Sequence, residues 1–380
     1  MLKLIGTMNV MLKVLAAYAA GVVCLAACGG TIAIPLHPSS GPPSANYPAA
    51  DLRAHVTLLY GERTYVLGKL AAAAVAGRKD EFASYAGLLA TNGDDLTAAV
   101  SKAAGESQGA SFHQARVLGD SFYVDYIVAA TTQQQDMSDA AMQNLTTRYV
   151  MQMAQVLSST LNISSSTASK LLGDEVSSTK HFVDDVAAAS FYSDLRDAYA
   201  KAIAMGGSVA EAIAWRFPDK YPGDVTGEGS KLRAQTDALL QEHSLLVTMV
   251  TNTAGTKDAN ASLQANTDAL ARVIGSAFGA DAASRASKAW SDDNQGSIAY
   301  ATAPDDQTRQ SALDNLNKTV TPELASFLTG LHVNLDGGAQ ILATVQVIDD
   351  QRAKTYDRAA SDDRKAAMQW VAIGDALLSS

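Results

Sequence analysis

From Asp51 onward apolar residues recur at helical spacing, broken by polar stretches every 20–30 residues. The pattern predicts helices near 51–77, 80–105, 109–133, 136–160, 166–205 and 208–217, the fifth with an internal break. A second set is predicted near 229–254, 257–279, 281–300, 306–330, 333–358 and 361–378. No segment carries the β-branched, period-two alternation of a strand, so the fold class expected is all-α. Between the sets lies "FPDKYPGDVTGEG" (217–229), whose prolines and glycines end one helix and mark a boundary. The expected architecture is two tandem, related antiparallel helical bundles, over 51–217 and 230–380, joined by a linker at 218–229.

The two sets resemble each other in order. "DLRAHVTLL" (51–59) aligns with "ALLQEHSLL" (238–246), setting His55 against His243. "LLATNGDDLTAAV" (88–100) aligns with "SLQANTDALARVI" (262–274), setting Asn92 against Asn266 and Leu96 against Leu270. At that same offset Tyr126 falls against Tyr300. "FYSDLRDAYAKA" (191–202) aligns with "VIDDQRAKTYDRA" (347–359), setting Arg196 against Arg352. The offsets drift, as insertions in surface loops would make them.

Composition sharpens this picture. The hydrophobic share is 47%, yet aromatics reach only 6% and prolines total 9, which leaves alanine and other good helix formers to supply the apolar faces. The formal net charge of −10, without a basic stripe, argues against nucleic acid as a partner.

The first 27 residues differ from the rest. Lys3 and Lys13 precede an apolar run, Val14 to Ala27, that meets Gly29-Gly30 too early for a comfortable membrane span. A basic start, a short apolar run and small residues form a secretion signal, and Met11 would serve as an alternative start. The order Leu25-Ala26-Ala27-Cys28 resembles the lipobox of bacterial lipoproteins. That resemblance implies cleavage before Cys28, lipid attachment to it, and membrane association through the lipid. Two or more acyl chains would make the anchoring durable. Cys24, the other of two cysteines, would leave with the signal. Gly29 stands where an Asp resembles an inner-membrane retention signal, so the resemblance implies the outer membrane in a Gram-negative cell. Residues 28–50 then hold five of the nine prolines and read as an extended tether, with His37 solvated in it.

The body resembles a group of secreted or anchored bacterial helical proteins with no assigned activity. The likeness rests on His55-Val56, Asn92-Gly93-Asp94-Asp95-Leu96, Ala104-Gly105 and "AWRFPDKY" (214–221). It covers 51–221 well and the second half less well. The chain departs from it where Leu59-Tyr60-Gly61 replaces an aromatic-Thr-Arg, and where the second half lacks a Phe-Pro ending. It implies a fold but no catalytic residues.

Candidate chemistry is thin. Five histidines lie outside the tether: His55, His113, His181, His243 and His332. None has an acid three residues before it, which a di-iron bundle needs, and no His-Glu-x-x-His occurs. His55 and His243 with Asn92, Asp95, Asn266 and Asp268 form the candidate site. On adjacent helices they would make a hydrogen-bonded network that fixes helix register, or alternatively hold a metal or small polar ligand. His181 with Asp185 and His332 with Asp336 are spaced as surface pairs on one helix face. No nucleophile elbow or phosphate-binding loop appears, and no cofactor is expected. Tyr123, Tyr126, Trp290 and Tyr300 fall on the third helices as core or as the wall of a ligand cleft. The function expected is a lipid-anchored envelope protein that binds or scaffolds, with envelope proteins or a small ligand as partners. The alternative is a metal-binding or redox-linked bundle.

Overall fold

A computed structural model describes residues 45–188, 190–252, 256–335 and 337–378. The stretch expected to be a secretion signal (1–27), Cys28, His37 and Asp336 lie outside these residues. Among the described residues there are twelve helices and no strands, so the fold class is all-α. The first six are α1 (Pro48–Val75), α2 (Lys79–Ala104), α3 (Glu106–Thr131), α4 (135–161), α5 (Ser165–Asp184) and α6 (Phe191–Arg216). The second six are α7 (Glu228–Asn252), α8 (Lys257–Phe278), α9 (Ala280–Thr302), α10 (306–330), α11 (Gly338–Ala353) and α12 (Tyr356–Leu378).

Helices α1 and α7 are central. From Val56 to Ala71 every residue of α1 is buried, and α7 is buried continuously from Thr236 to Val250. A helix buried on all faces has no polar stripe, so nothing but neighbours can satisfy its charged residues. The two pack against each other, α6 lies along α1, and α12 lies along α7. The outer helices of each half cross over: α6 also touches α8, and α12 also touches α2. One apolar core joins the first six helices to residues of α7, α8 and α12, including Leu246, Leu263 and Ala367. A second core lies within α7–α12, around Trp290, Trp370, Phe327 and Leu328.

Local details recur between the halves. Single glycines, Gly105 (φ 99) and Gly279 (φ 94), separate α2 from α3 and α8 from α9. One residue at positive φ turns the chain between two helices, and glycine does so without a Cβ clash. The fourth helix of each half carries a π-helical turn, Leu145–Tyr149 in α4 and Leu316–Val320 in α10. In the first half this helix presses close enough that a Cβ on Gly119 would lie 2.4 Å from the Tyr149 ring.

Two boundaries differ from the sequence expectation, and one expected break is located. Helix α1 begins at Pro48, within the expected tether, since proline suits the first helical turn. The break expected within 166–205 falls at 185–190, and residues 208–216 continue α6 rather than forming their own helix. The start of α6 is capped from a distance: Asp258, on α8, accepts from the Tyr192 N–H at 2.8 Å. His332 sits in a left-handed turn (φ 63) after α10, not on a helix face.

The 217–227 connection also pins the chain's entry into the body. Tyr47 hydrogen-bonds the Asp224 carbonyl (3.1 Å) and Ser230 (2.8 Å), and Arg233 donates to the Ala45 carbonyl (3.2 Å).

Candidate functional site

The charged residues that α1 and α7 carry inward build a polar layer between the halves. Asn92 on α2 donates through Nδ2 to the Leu59 carbonyl (2.9 Å) and to Glu62 Oε2 (2.8 Å). Asn266 on α8 donates in the same way to the Leu239 carbonyl (3.0 Å) and Glu242 Oε2 (2.7 Å). All four side chains, Asn92, Glu62, Asn266 and Glu242, are buried. Each glutamate then meets an arginine from the other half. Arg364 on α12 reaches Glu62 Oε1 at 2.9 Å, and Arg196 on α6 reaches Glu242 Oε1 at 3.1 Å. Burial pushes the Glu62 carboxyl above its usual range, opposed by Arg364 and the Asn92 bond.

These contacts fix a register different from the one expected. Leu59 and Glu62 stand where Leu239 and Glu242 stand, so "LRAHVTLLYGE" (52–62) corresponds to "LRAQTDALLQE" (232–242). His243 therefore takes the place of Arg63, and His55 that of Gln235. The His55–His243 match slipped because Leu-Leu pairs recur along both helices. Likewise "SDLR" (193–196) corresponds to "SDDR" (361–364), making Arg364, not Arg352, the counterpart of Arg196.

The six candidate residues accordingly divide. Asn92, Asn266 and His243 are buried in the layer. Asp95 is half-exposed and pairs with Arg364. His55 is exposed on α1, and desolvation by its neighbours lowers its imidazole below 6.5 while the Asp95 carboxylate raises it. Among the described residues no hydrogen bond or ion pair joins His55 to Asp95. Asp268 is exposed and accepts from Gln264 at 2.8 Å. Tyr123, Tyr126, Trp290 and Tyr300 are buried core residues rather than cleft walls.

The positions flanking the glutamates diverge between halves. Arg63 forks to Asp120 (2.5 Å) and Glu175 (2.7 Å), and its guanidinium lies 4.7 Å from the Tyr123 ring centroid. Burial alone would lower the Arg63 pKa, but Asp120 and Glu175 outweigh it and hold the charge. At the corresponding place His243 Nε2 bonds Asp293 Oδ2 at 2.9 Å, with its ring edge-on to Trp370 at 4.6 Å between centroids. A third brace ties α1 to α12: Lys69 pairs with Asp363, which also accepts from Thr248 (2.6 Å) and Tyr85 (3.2 Å).

Glu62, Arg63, Lys69, Glu242 and Asp363 belong to the layer but are not among the residues expected from the sequence. For Glu62, Arg63 and Lys69 the signal is in the sequence, since an acid or base inside a largely apolar helix must find a partner. Among the described residues no group of three or more His, Cys, Asp or Glu is placed to hold a metal ion, and no helix is long and apolar enough to cross a membrane.

Surface grooves open outside this layer. One of about 300 Å³ runs between α2 and α3, lined by Asp94, His113, Arg116 and Asp120 among others. One of about 360 Å³ runs between α8 and α9, lined by Asn260, Gln264, Asn294 and Gln295 among others. Asn294 holds the place of Asp120 in the Asn92/Asn266 register, so one groove is acidic where its counterpart is amide-rich. A third, of about 570 Å³, lies where the α4–α5 turn meets the end of α6. No protein-family model, curated protein or solved structure matches the chain.

Proposed function

We propose that this chain is a lipid-anchored bacterial envelope protein whose helical body binds or scaffolds rather than catalyses. The observation that carries the reading is Leu25-Ala26-Ala27-Cys28 at the end of a short apolar run, followed by a proline-rich stretch ahead of the helical body. Lipid on Cys28 holds the protein to the membrane, at the outer membrane in a Gram-negative cell, and the Pro/Gly/Ser-rich stretch gives the body reach.

We read the two sets of six helices as copies of one plan, on the support of the paired Asn–Glu contacts and the glycine breaks. The buried layer fits a structural role, because its charged groups are spent on one another across the halves. A metal site would rest on His243 and Asp293, which supply two ligands where structural zinc takes four. Metal analysis of the purified protein decides between the readings: stoichiometric metal that is lost in His243→Ala would replace ours.

The anchor is tested by cell fractionation and fatty-acid labelling of Cys28→Ser. The wild type should take up label and sediment with membranes, and the variant should do neither. A variant that still carries label, or still sediments fully with membranes, contradicts the anchor.

A further inference from the structure

The stretch "AWRFPDKY" (214–221) is not used up by the polar layer, and most of it has work in the fold. Phe217 caps the end of α6 and lies under Lys220, whose ammonium donates to the Lys102 and Ala103 carbonyls at 3.0 and 2.9 Å, closing the end of α2. Tyr221 is buried. Trp215 is the exception: it is 68% exposed and, among the described residues, makes no hydrogen bond or ring contact, while Trp290 (1%) and Trp370 (0%) are core. It lines the 570 Å³ groove at the α4–α5 corner, a volume within the range of about 300–1,000 Å³ typical of small-molecule clefts.

The rest of that groove has two characters. Leu161, Ile163, Leu171 and Ala212 give it an apolar side. Asn162, Ser164, Thr167 and Ser208 give it neutral hydroxyl and amide groups, and Glu211 is already committed to Arg53 at 2.6 Å. Arg216 lines it without an ion-pair partner among the described residues. A flat exposed indole, short neutral hydrogen-bonding groups, one unpaired guanidinium able to donate, and a small apolar wall match a particular ligand chemistry. A pyranose ring presents an apolar C–H face to an aromatic surface and hydroxyls at its edge, and an acetamido methyl fills an apolar notch.

We infer that this groove binds an N-acetylated pyranose oligosaccharide stacked on Trp215. The inference deepens the binding role proposed above but does not rest on the anchor, which is read out by fractionation alone.

The test uses the full chain in a zwitterionic, sugar-free detergent, with chitohexaose as probe and cellohexaose as the matched sugar lacking acetamido groups. Because Trp290 and Trp370 are buried, changes in acrylamide quenching report on Trp215. Chitohexaose should shield Trp215 from acrylamide, and calorimetry should show it binding more tightly than cellohexaose. Trp215→Ala should weaken binding by about tenfold or more, and Trp215→Tyr should recover part of that loss. The melting temperature of both variants should match the wild type, since the side chain packs against nothing in the core. Equal binding by wild type and Trp215→Ala, or no binding by the wild type, overturns the inference. So does a Trp215 already shielded by detergent and unmoved by chitohexaose, which would make it a lipid contact.

Discussion

Asn92 and Asn266 make the same two hydrogen bonds in the two halves of the protein, each to a leucine carbonyl and to a buried glutamate three residues further along that helix. The glutamates, in turn, are neutralised by arginines of the opposite half. Each half thus completes the polar core of the other.

Removing either amide should be costly and the two costs should be similar. Asn92→Ala leaves the Glu62 carboxylate and a backbone carbonyl short of a donor inside the protein, and Asn266→Ala does the same to Glu242. Each should lower stability by about 2–4 kcal/mol in urea titrations, the cost of unsatisfied buried groups when one is charged. A loss under about 0.5 kcal/mol at one site and a large loss at the other would show that the two contacts are not equivalent.

The Lys69–Asp363 pair should behave as a buried ion pair does. Lys69→Met alone strands a carboxylate that is fully buried and should cost about 3–5 kcal/mol. The double change Lys69→Met with Asp363→Leu should recover most of that loss, because the desolvation cost of both charges disappears. A double variant no better than the single one would mean that Thr248 and Tyr85 depend on the carboxylate more than on packing.

Asp237 sets a pH dependence of its own. It is fully buried, neither oxygen has a hydrogen-bond partner among the described residues, and the nearest base, Arg233, is 3.8 Å away. Burial drives its carboxyl well above the ordinary 3.8, Asp375 adds to the rise, and Arg233 opposes it. The folded protein therefore holds a proton that the unfolded chain releases above its own lower pKa. Between the two pKa values the folded state binds more protons, so this group makes stability fall as pH rises. Asp237→Asn should remove that slope and stabilise the protein near neutral pH by about 1–3 kcal/mol. Melting curves from pH 4 to 8 check it: a variant as pH-dependent as the wild type would place the titration elsewhere.

Two glycine substitutions should have opposite signs. Gly119→Ala drives a methyl into the Tyr149 ring and should cost about 1–3 kcal/mol. Gly87→Ala, inside α2 with open space around its Cβ position, should stabilise by about 0.5–1 kcal/mol through helix propensity. Equal effects on the melting temperature would mean that α4 moves aside freely at its π-helical turn.

The helices were legible in the sequence because the 3.6-residue pattern is strong in the outer elements, whose polar faces meet water. The central helices were harder. Helix α1 is buried all round, so its periodicity carries no facing information, and the His55–His243 register slid along repeated leucines. Asn92 and Asn266 could be matched because short polar side chains in an apolar face are rare markers. Their partners could not, since Arg196 and Arg364 come from helices far away in the chain. A break inside 166–205 is expected from the sequence, but its place just before α6 is not, because the cap, Asp258, belongs to α8. His55 reads as a site residue only through its match to His243, and Asp268 only because it lies near Asn266.

The reciprocal Arg196–Glu242 and Arg364–Glu62 pairs imply that the two halves unfold as one. Differential scanning calorimetry of the full chain, compared with Arg196→Ala and Arg364→Ala, tests this most directly. One transition is expected, with calorimetric and van't Hoff enthalpies in agreement, that moves down as a whole in each variant by about 2 kcal/mol of stability. Two separate transitions in the wild type, or a variant in which only one half's melting moves, would contradict it.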